Sequence, residues 1–287
     1  MIGVPHRHPF MPNIDLHCHS TISDGVLSPS DLVARAAGNG VEVLALTDHD
    51  DCDGLGEARR SAEEHGIEFI NGVEISVTWR GKTLHIVGLG IDPDHVELKN
   101  GLDSIREGRI VRARLIAEGL SRAGISGSLE GAYAYASNKN LIGRTHFARF
   151  LVEKGHARDI QGVFRKFLVH GRPGHVSHQW AELNAAVGWI KKSGGVAVIA
   201  HPGRYDLSAA ALKALLSEFI EAGGDGIEVV TSSHTLDMAM RFCEFAKQFG
   251  LFASIGSDFH SPAESRMDVG KLPSLPAGCR PIWEAFD

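Results

Sequence analysis

Short apolar runs that each end in an acid or a histidine recur along this chain, and their repetition narrows its architecture more than any other feature. Ile14 to Leu16 precedes His17-Cys18-His19, Val41 to Leu46 ends in Thr47-Asp48-His49, and Ile67 to Val73 leads into Glu74. Later, Leu84 to Leu89 carries His85, Gly195 to Ala200 ends at His201-Pro202, Ile227 to Val230 is a further run, and Phe252 to Ile255 ends at Gly256-Ser257-Asp258. Each run has the length and character of a buried strand, and helical patterns separate them. Ser28-Pro29-Ser30-Asp31, for example, predicts a helix start, with Ser as cap and Pro at the first helical position; that helix runs to about Asn39-Gly40, and another covers roughly 54 to 65. Strand and helix in alternation imply a parallel sheet or barrel, with a site where the strands end.

Within the first run the residues alternate at period two. Ile14, Leu16 and Cys18 share one face and Asp15, His17 and His19 the other, so two imidazoles project side by side and Cys18 is expected to be buried and inert. From about His95 to Arg172 the pattern changes: apolar residues recur at helical spacing in Ile105 to Ala123, Thr145 to Lys154 and Ile160 to Val169, with no clear strand. This predicts a barrel domain from 13–98 and 173–287, interrupted by a helical, substrate-capping subdomain over 99–172. That segment also concentrates Arg and Lys, most of which read as a solvated helix face.

The composition is that of an ordinary globular chain: 287 residues, 43% hydrophobic and 22% charged. A net charge of -6 offers no general basic surface for long nucleic acid, so any such contact needs a local patch. No run is long and apolar enough to span a membrane, and residues 1–15 lack the apolar core of a secretory signal, which predicts a cytoplasmic protein. The four cysteines fall in no CxxC pair and read as reduced thiols. No obligate protein partner is evident. The 16 histidines are many for this length and invite a metal reading.

Alone, His17-x-His19 says little, since two histidines at that spacing on a strand can be accidental. With Asp24, Asp48-His49, Glu74, His201 and Asp258-x-His260 at successive strand ends it is hard to explain as scattered core histidines. Asp48 and Asp15 each admit two roles, as acceptor of an imidazole N–H or as a local backbone cap. The segments IDLHCHSTISDG, LALTDHDD, NGVEIS, HIVGLGID, AHPGRY and GSDFH resemble the motifs of the PHP (polymerase and histidinol phosphatase) superfamily, in the family's order and over nearly the whole chain.

That resemblance implies a distorted (β/α)7 barrel with an inserted helical subdomain, and a site for two or three divalent ions. It implies His17, His19, Glu74 and Asp258 around a first ion, Glu74 bridging to a second held by His85 and His201, and Asp24, His49 and His260 around a third. A metal-bridging hydroxide held by Glu74, His17, His19 and Asp258 would be the nucleophile. Mixed imidazole and carboxylate donors suit Mn²⁺, the first choice, or Zn²⁺ or Fe²⁺, better than Ca²⁺.

The segments NKNLIGRTHFARFLVEKG, FRKFLVHGRP and AHPGRYDLS are most similar to the branch of the family that contains nucleotide bisphosphate phosphatases and 5′-to-3′ exonucleases of short RNA. The implied reaction converts adenosine 3′,5′-bisphosphate to AMP and phosphate; the alternative trims short RNA or DNA oligonucleotides. A second phosphate needs an anchor away from the ions, for which Arg144 and His146 at a helix start are first candidates. Lys166, Arg172 and Arg204 follow, and His175 and His178 are open between proton donor, phosphate contact and a purely structural place. Phe164, Phe167 and Leu168 form a stripe at helical spacing that reads as core before base-stacking platform. At most one of Tyr133 and Tyr135 can face a base. An amidohydrolase-type deaminase shares the His-x-His strand but needs no third metal position, and a non-catalytic scaffold needs none of them.

Overall fold

The computed structural model describes residues 12–286; the first eleven residues of the stretch read for a secretory signal lie outside them. Among the described residues, eight strands form one sheet: β1 (Ile14–Asp15), β2 (Val43–Leu46), β3 (Glu68–Trp79), β4 (Lys82–Leu89), β5 (Ala181–Glu182), β6 (Val196–Ile199), β7 (Gly226–Thr231) and β8 (Phe252–Gly256). The sheet runs β1-β2-β3-β4-β6-β7-β8, with β5 pairing β3 off this path. Beyond β1 the chain meets β8: the Leu16 N–H donates to the Ile255 carbonyl at 3.0 Å and Cys18 pairs with Phe259, so the seven-stranded path nearly closes into a barrel. This is the distorted α/β barrel that the family resemblance implies.

One strand departs from the parallel arrangement expected from the alternation: β4 is antiparallel to both β3 and β6. Trp79 and Lys82 are joined by Arg80 and Gly81, both left-handed at φ 48° and 76°, the two-residue turn whose twist matches a hairpin rather than a crossover. The hairpin returns His85 to a place opposite Ser76, two residues past Glu74.

Helices α1 (Pro29–Gly38) and α2 (Leu55–His65) pack on each other outside β1–β3, followed by α3 (Val96–Arg122), α4 (Ser128–Tyr135), α5 (Arg144–Glu153) and α6 (Ile160–Val163). Beyond these come α7 (Leu183–Lys192), α8 (Ala209–Glu221) and α9 (Leu236–Phe249). Ser28 caps α1, its Oγ accepting from the Asp31 N–H at 3.1 Å, as its sequence predicts. No described helix is long and apolar enough to cross a membrane.

Two apolar cores are present. The barrel core takes every residue of β6, and a second core in the helical segment gathers Ile116, Leu120, Phe147, Leu151, Val163 and Leu168. Helix α3 serves both: Leu98, Leu102 and Ile105 belong to the barrel core, Ala113, Ile116 and Leu120 to the second. It starts nine residues before the run recognised from Ile105, because Asn100 and Gly101 are weak helix formers and hide the pattern. Gly101 is required there; a Cβ would lie 2.5 Å from the Trp189 ring.

The cysteine expectation is corrected for two of the four. Cys243 on α9 is bonded to Cys279, with Cα atoms 5.8 Å apart. The carboxy-terminal stretch runs back along β8, where the Ala253 N–H donates to the Arg280 carbonyl at 2.7 Å, and so meets α9; no local spacing signals such a pair. Cys18 and Cys52 are free, and Cys18 is fully buried with its thiol 3.2 Å from the Ala45 carbonyl.

Candidate metal centre

The strands converge on Glu74. Beyond β1, the Asp258 N–H donates to the His17 carbonyl at 2.7 Å and the His19 N–H to the Phe259 carbonyl at 2.9 Å, which sets Asp258 beside both histidines. On the other side His49 pairs with Glu74, and the Ala200 N–H donates to the His85 carbonyl at 3.1 Å, bringing His201 to His85. Of the four non-glycine residues with positive φ among the described residues, three lie here: Asp50 at 50°, His201 at 27° and Asp258 at 53°. Such backbone is disfavoured for a side-chain-bearing residue and persists only where its surroundings enforce it.

Glu74 Oε1 lies 2.8 Å from His85 Nδ1 and 2.9 Å from His201 Nε2; Oε2 lies 2.8 Å from His49 Nδ1, 3.3 Å from His19 Nε2 and 3.4 Å from His17 Nε2. Asp258 Oδ1 is 3.2 Å from His19 Nε2, and Asp24 Oδ1 is 3.1 Å from His260 Nε2. The structure thus brings together all nine residues that the family resemblance implies as ligands. Three groups of donors, each within 4.8 Å of one another, could hold an ion: His17, His19, Glu74 and Asp258; His49, Glu74 and His85; and His19, Asp24, His49 and His260. The first matches the expected set. In the second His49 stands where His201 was expected, although His201 faces the same Glu74 oxygen, and in the third His19 joins the expected three.

The donor set fits divalent ions. His17 Nε2 and His19 Nε2 face each other at 3.1 Å, a contact of two lone pairs unless a proton or a cation lies between them. Glu74 Oε2, His49 Nδ1 and His19 Nδ1 are buried without a hydrogen-bond partner. Burial disfavours the Glu74 charge, yet the imidazoles of His85, His49 and His17 outweigh it and hold this carboxyl well below its usual range. Burial, with His260 and His49 alongside, pushes His19 down to about 3, while Asp24 overcomes burial to lift His260 to about 9. Crowded imidazoles competing for few protons are relieved when their lone pairs coordinate a cation.

Glu228 on β7 is a functional residue that sequence reasoning missed. His17 Nδ1–H donates to Glu228 Oε1 at 2.7 Å, and Glu228 Oε2 accepts from the His201 N–H. The first bond fixes the tautomer of His17 with Nε2 toward the cluster. A lone acid in the apolar run Gly226-Ile227-Glu228-Val229-Val230 was the available signal. Asp48 and Asp15 touch no imidazole. Asp48 accepts from the Ser20 N–H, Ser20 Oγ and Ser23 Oγ at 2.8, 2.6 and 2.5 Å, bracing the loop that carries Asp24. Asp15 accepts from the Ser257 and Gly270 N–H groups at 2.8 and 2.7 Å, and burial raises it to about 6 despite them.

Of the expected substrate contacts, Arg204 is at the cluster, paired with Asp258 Oδ2. Arg144 opens α5, half-buried, with its guanidinium 5.5 Å from the Phe164 ring centre and no carboxylate partner among the described residues. Beside it is a residue the sequence did not single out: Arg112, only 8% exposed, which makes no hydrogen bond or ion pair among the described residues. Burial and the neighbouring Arg144 and Arg109 guanidiniums push Arg112 down to about 9, still cationic near neutrality. His178 packs on Trp180 at 4.2 Å between ring centres and feels the Arg112 charge.

His146 does not stand free as expected of a phosphate contact: it is buried, and its Nδ1 accepts the Gly143 N–H at 3.0 Å. Lys166 is exposed and lines a separate cleft with His156, Arg158 and Arg165; Arg172 is exposed, and its side chain touches neither. Tyr135 donates to Glu153 at 2.5 Å and Tyr133 packs on the second core, so neither faces the site. Leu168 is buried core, whereas Phe164 lines a cleft of about 730 Å³ that opens beside Asp258 and His260 between Arg165, Arg204 and Arg266.

An α/β barrel that gathers imidazoles and carboxylates at its strand ends around a buried carboxylate defines a metal-dependent hydrolase. The chain belongs to the PHP domain family, whose model matches residues 15–232. A 3′,5′-nucleoside bisphosphate phosphatase from Chromobacterium violaceum is 53% identical over 277 residues, spanning 96% of this chain and 97% of that protein. A 5′-3′ exoribonuclease from Haemophilus influenzae is 42% identical over 272 residues, spanning 95% of this chain and 98% of that one. Among solved structures, an amidohydrolase from Chromobacterium violaceum with bound sulfate and no metal superposes with a TM-score of 0.93 at 53% identity, covering 95% of each chain.

Proposed function

We propose that this protein removes the 3′-phosphate from nucleoside 3′,5′-bisphosphates, adenosine 3′,5′-bisphosphate giving AMP and phosphate. The carrying observation is the buried Arg112, without a carboxylate partner among the described residues, beside Arg144 and Arg109, the last of which lies near His49 of a centre where nine donor residues converge. Substrate with a single phosphate leaves Arg112 and Arg144 unmatched; a bisphosphate satisfies them and the centre together. The phosphatase relative supports the same substrate class.

In this reading His17, His19, Glu74 and Asp258 hold one divalent ion, Glu74 with His85, His201 and His49 a second, and Asp24, His49, His19 and His260 a third, Mn²⁺ before Zn²⁺ or Fe²⁺. When bound, such ions lower the pKa of water and neutralise phosphoryl charge. The protein residues do the rest. Glu228 keeps His17 in the tautomer that presents Nε2. Arg204 sits against Asp258 at the mouth, where it meets the non-bridging phosphoryl oxygens. Arg112 and Arg144, with the N-terminus of α5, hold the 5′-phosphate, and the helical segment 99–172 caps the nucleotide. A soluble nucleotide substrate fits a cytoplasmic setting.

A second reading has one observation in its favour. The cleft of about 730 Å³ walled by Phe164, Arg165, Arg204 and Arg266 reaches Asp258 and His260, and its basic wall suits the backbone of a short chain. The same anchor would then hold the 5′ end of a short RNA, consistent with the exoribonuclease relative. Rates on adenosine 3′,5′-bisphosphate, its 2′,5′ isomer, histidinol phosphate and a 5′-phosphorylated oligoribonucleotide separate the two. Phosphatase action predicts fastest turnover of the 3′,5′-bisphosphate; faster release of nucleotide from the oligomer reverses the assignment.

A further inference from the structure

Among the contacts that fasten the helical segment to the barrel, several lie beside residues of one donor group, and Arg106 and Asn138 add bonds to the Asp50 carbonyl and to Asp51 at 2.8 and 3.1 Å. On α3, Arg109 is only 7% exposed; its Nε donates to Asp50 Oδ2 at 2.8 Å and its Nη2 to Ser76 Oγ at 3.0 Å. Asp50 directly follows His49 and is itself held by Ser76, whose N–H and Oγ donate at 2.7 and 2.9 Å. The Asp50 φ of 50° is thereby enforced from both the barrel and the helix. On α5, the buried His146 accepts the Gly143 N–H on Nδ1 at 3.0 Å and feels the backbone of Ser23, the residue before Asp24. One turn further along, Arg149, 8% exposed, donates to Glu264 through Nε at 3.0 Å and Nη2 at 2.7 Å, a two-pronged pair. The next residue, Ser265, accepts the His260 and Ser261 N–H groups on its Oγ at 2.8 and 3.1 Å.

Asp24, His49 and His260 form one group with His19. The remaining donors are fixed from within the barrel: His17 by Glu228, and His85 through its N–H, which donates to the Tyr205 hydroxyl at 2.9 Å. The three positions therefore depend on different parts of the molecule.

We propose that Arg149, through its pair with Glu264, is a positioning residue for a single metal position, that of Asp24, His49 and His260, so that this contact of the helical segment sets the affinity of one ion and not of the others. This rests on the three-position reading above. The Glu264 loop carries His260, which belongs to no other group, whereas His49 also faces Glu74.

Equilibrium dialysis of the full-length protein against a series of free Mn²⁺ concentrations, with bound metal measured by mass spectrometry, tests this. Wild type, Arg149→Gln and Glu264→Gln are compared, with thermal melting as a check on folding; Glu264→Gln keeps the arginine in place should Arg149→Gln fail to fold. The expected result is one binding step weakened by about ten-fold or more, in the range seen when groups that orient ligands are removed, with the other steps and the melting curve as in wild type. Isotherms identical to wild type in both variants overturn the proposal, and so does uniform weakening of every step. A wild-type protein that takes up no Mn²⁺ overturns the three-position reading itself, before any variant is compared.

Discussion

His17 Nδ1 donates to Glu228 Oε1 at 2.7 Å, a bond that ties the segment after β1 to β7. It turns the one histidine that touches Glu74, Asp258 and His19 together into a lone-pair donor toward the cluster. Replacing Glu228 by Gln should weaken metal binding or kcat/KM by about 10- to 100-fold with the fold intact. Glu228→Ala should add about 1–3 kcal/mol of destabilisation, since it also strands the buried His201 N–H. Metal titration and thermal melting of the two variants measure these separately; equal behaviour of both with wild type removes Glu228 from the account.

Arg112 offers a prediction of opposite signs. The buried Arg112 guanidinium packs on Trp180 but has no hydrogen bond or ion pair among the described residues, so it burdens the folded chain, and Arg112→Met should leave the melting temperature unchanged or raise it. If the same residue receives a phosphate, the variant should lose a charge-assisted contact of about 1.5–3 kcal/mol, roughly 10- to 150-fold in KM for the bisphosphate. Little loss on a substrate with one phosphate should accompany it. A destabilised variant with unchanged KM would falsify the anchor.

Acid should unfold this protein partly through His146. Burial is the chief cause that pushes its imidazole down to about 4 from an ordinary 6.5. The neutral ring is the form that the fold accepts, so its contribution is complete above pH 6.5, is lost as pH falls toward 4, and is constant below that. The difference corresponds to about 3 kcal/mol. His146→Gln should flatten the stability curve in that window when compared with wild type by urea melts at pH 7, 5.5 and 4.5. An unchanged slope between the two proteins would show that His146 does not titrate as placed.

Two glycines in the recognised motifs have steric tasks. A Cβ on Gly256 would lie 2.2 Å from the His17 Cβ, and one on Gly25 would lie 2.3 Å from the His19 carbonyl oxygen. Gly256→Ala should therefore displace the His17 backbone, with a cost of about 1–3 kcal/mol or more and a loss of bound metal. Calorimetry with metal analysis of the purified variant reads both, and wild-type values for both would contradict the packing described.

The candidate ligands were legible because most follow or interrupt an apolar run, where polar residues have few other reasons to be, although Glu74 and His85 prove to lie within β3 and β4 and Asp24 in a loop. Glu228 escaped because a single acid inside a strand resembles ordinary alternation. Arg106, Arg109 and Arg112 share a helix face and were read as solvated; the structure buries the last two, since the face they occupy turns toward the barrel and Trp180. His146 was misread for the converse reason: position at a helix start suggested an anion contact, but the side chain closes back on the Gly143 N–H. The reversal at Arg80-Gly81 was in the sequence too, yet Arg at positive φ gives no local warning of a hairpin.

The most direct test is phosphate release from adenosine 3′,5′-bisphosphate by the purified protein supplied with Mn²⁺. The account predicts AMP and phosphate in equal amounts, loss of activity on chelation with recovery on Mn²⁺ addition, and a Glu74→Gln variant that remains folded and inert. Release that survives chelation, or no release from any nucleotide bisphosphate or 5′-phosphorylated oligonucleotide by protein loaded with Mn²⁺, would contradict it.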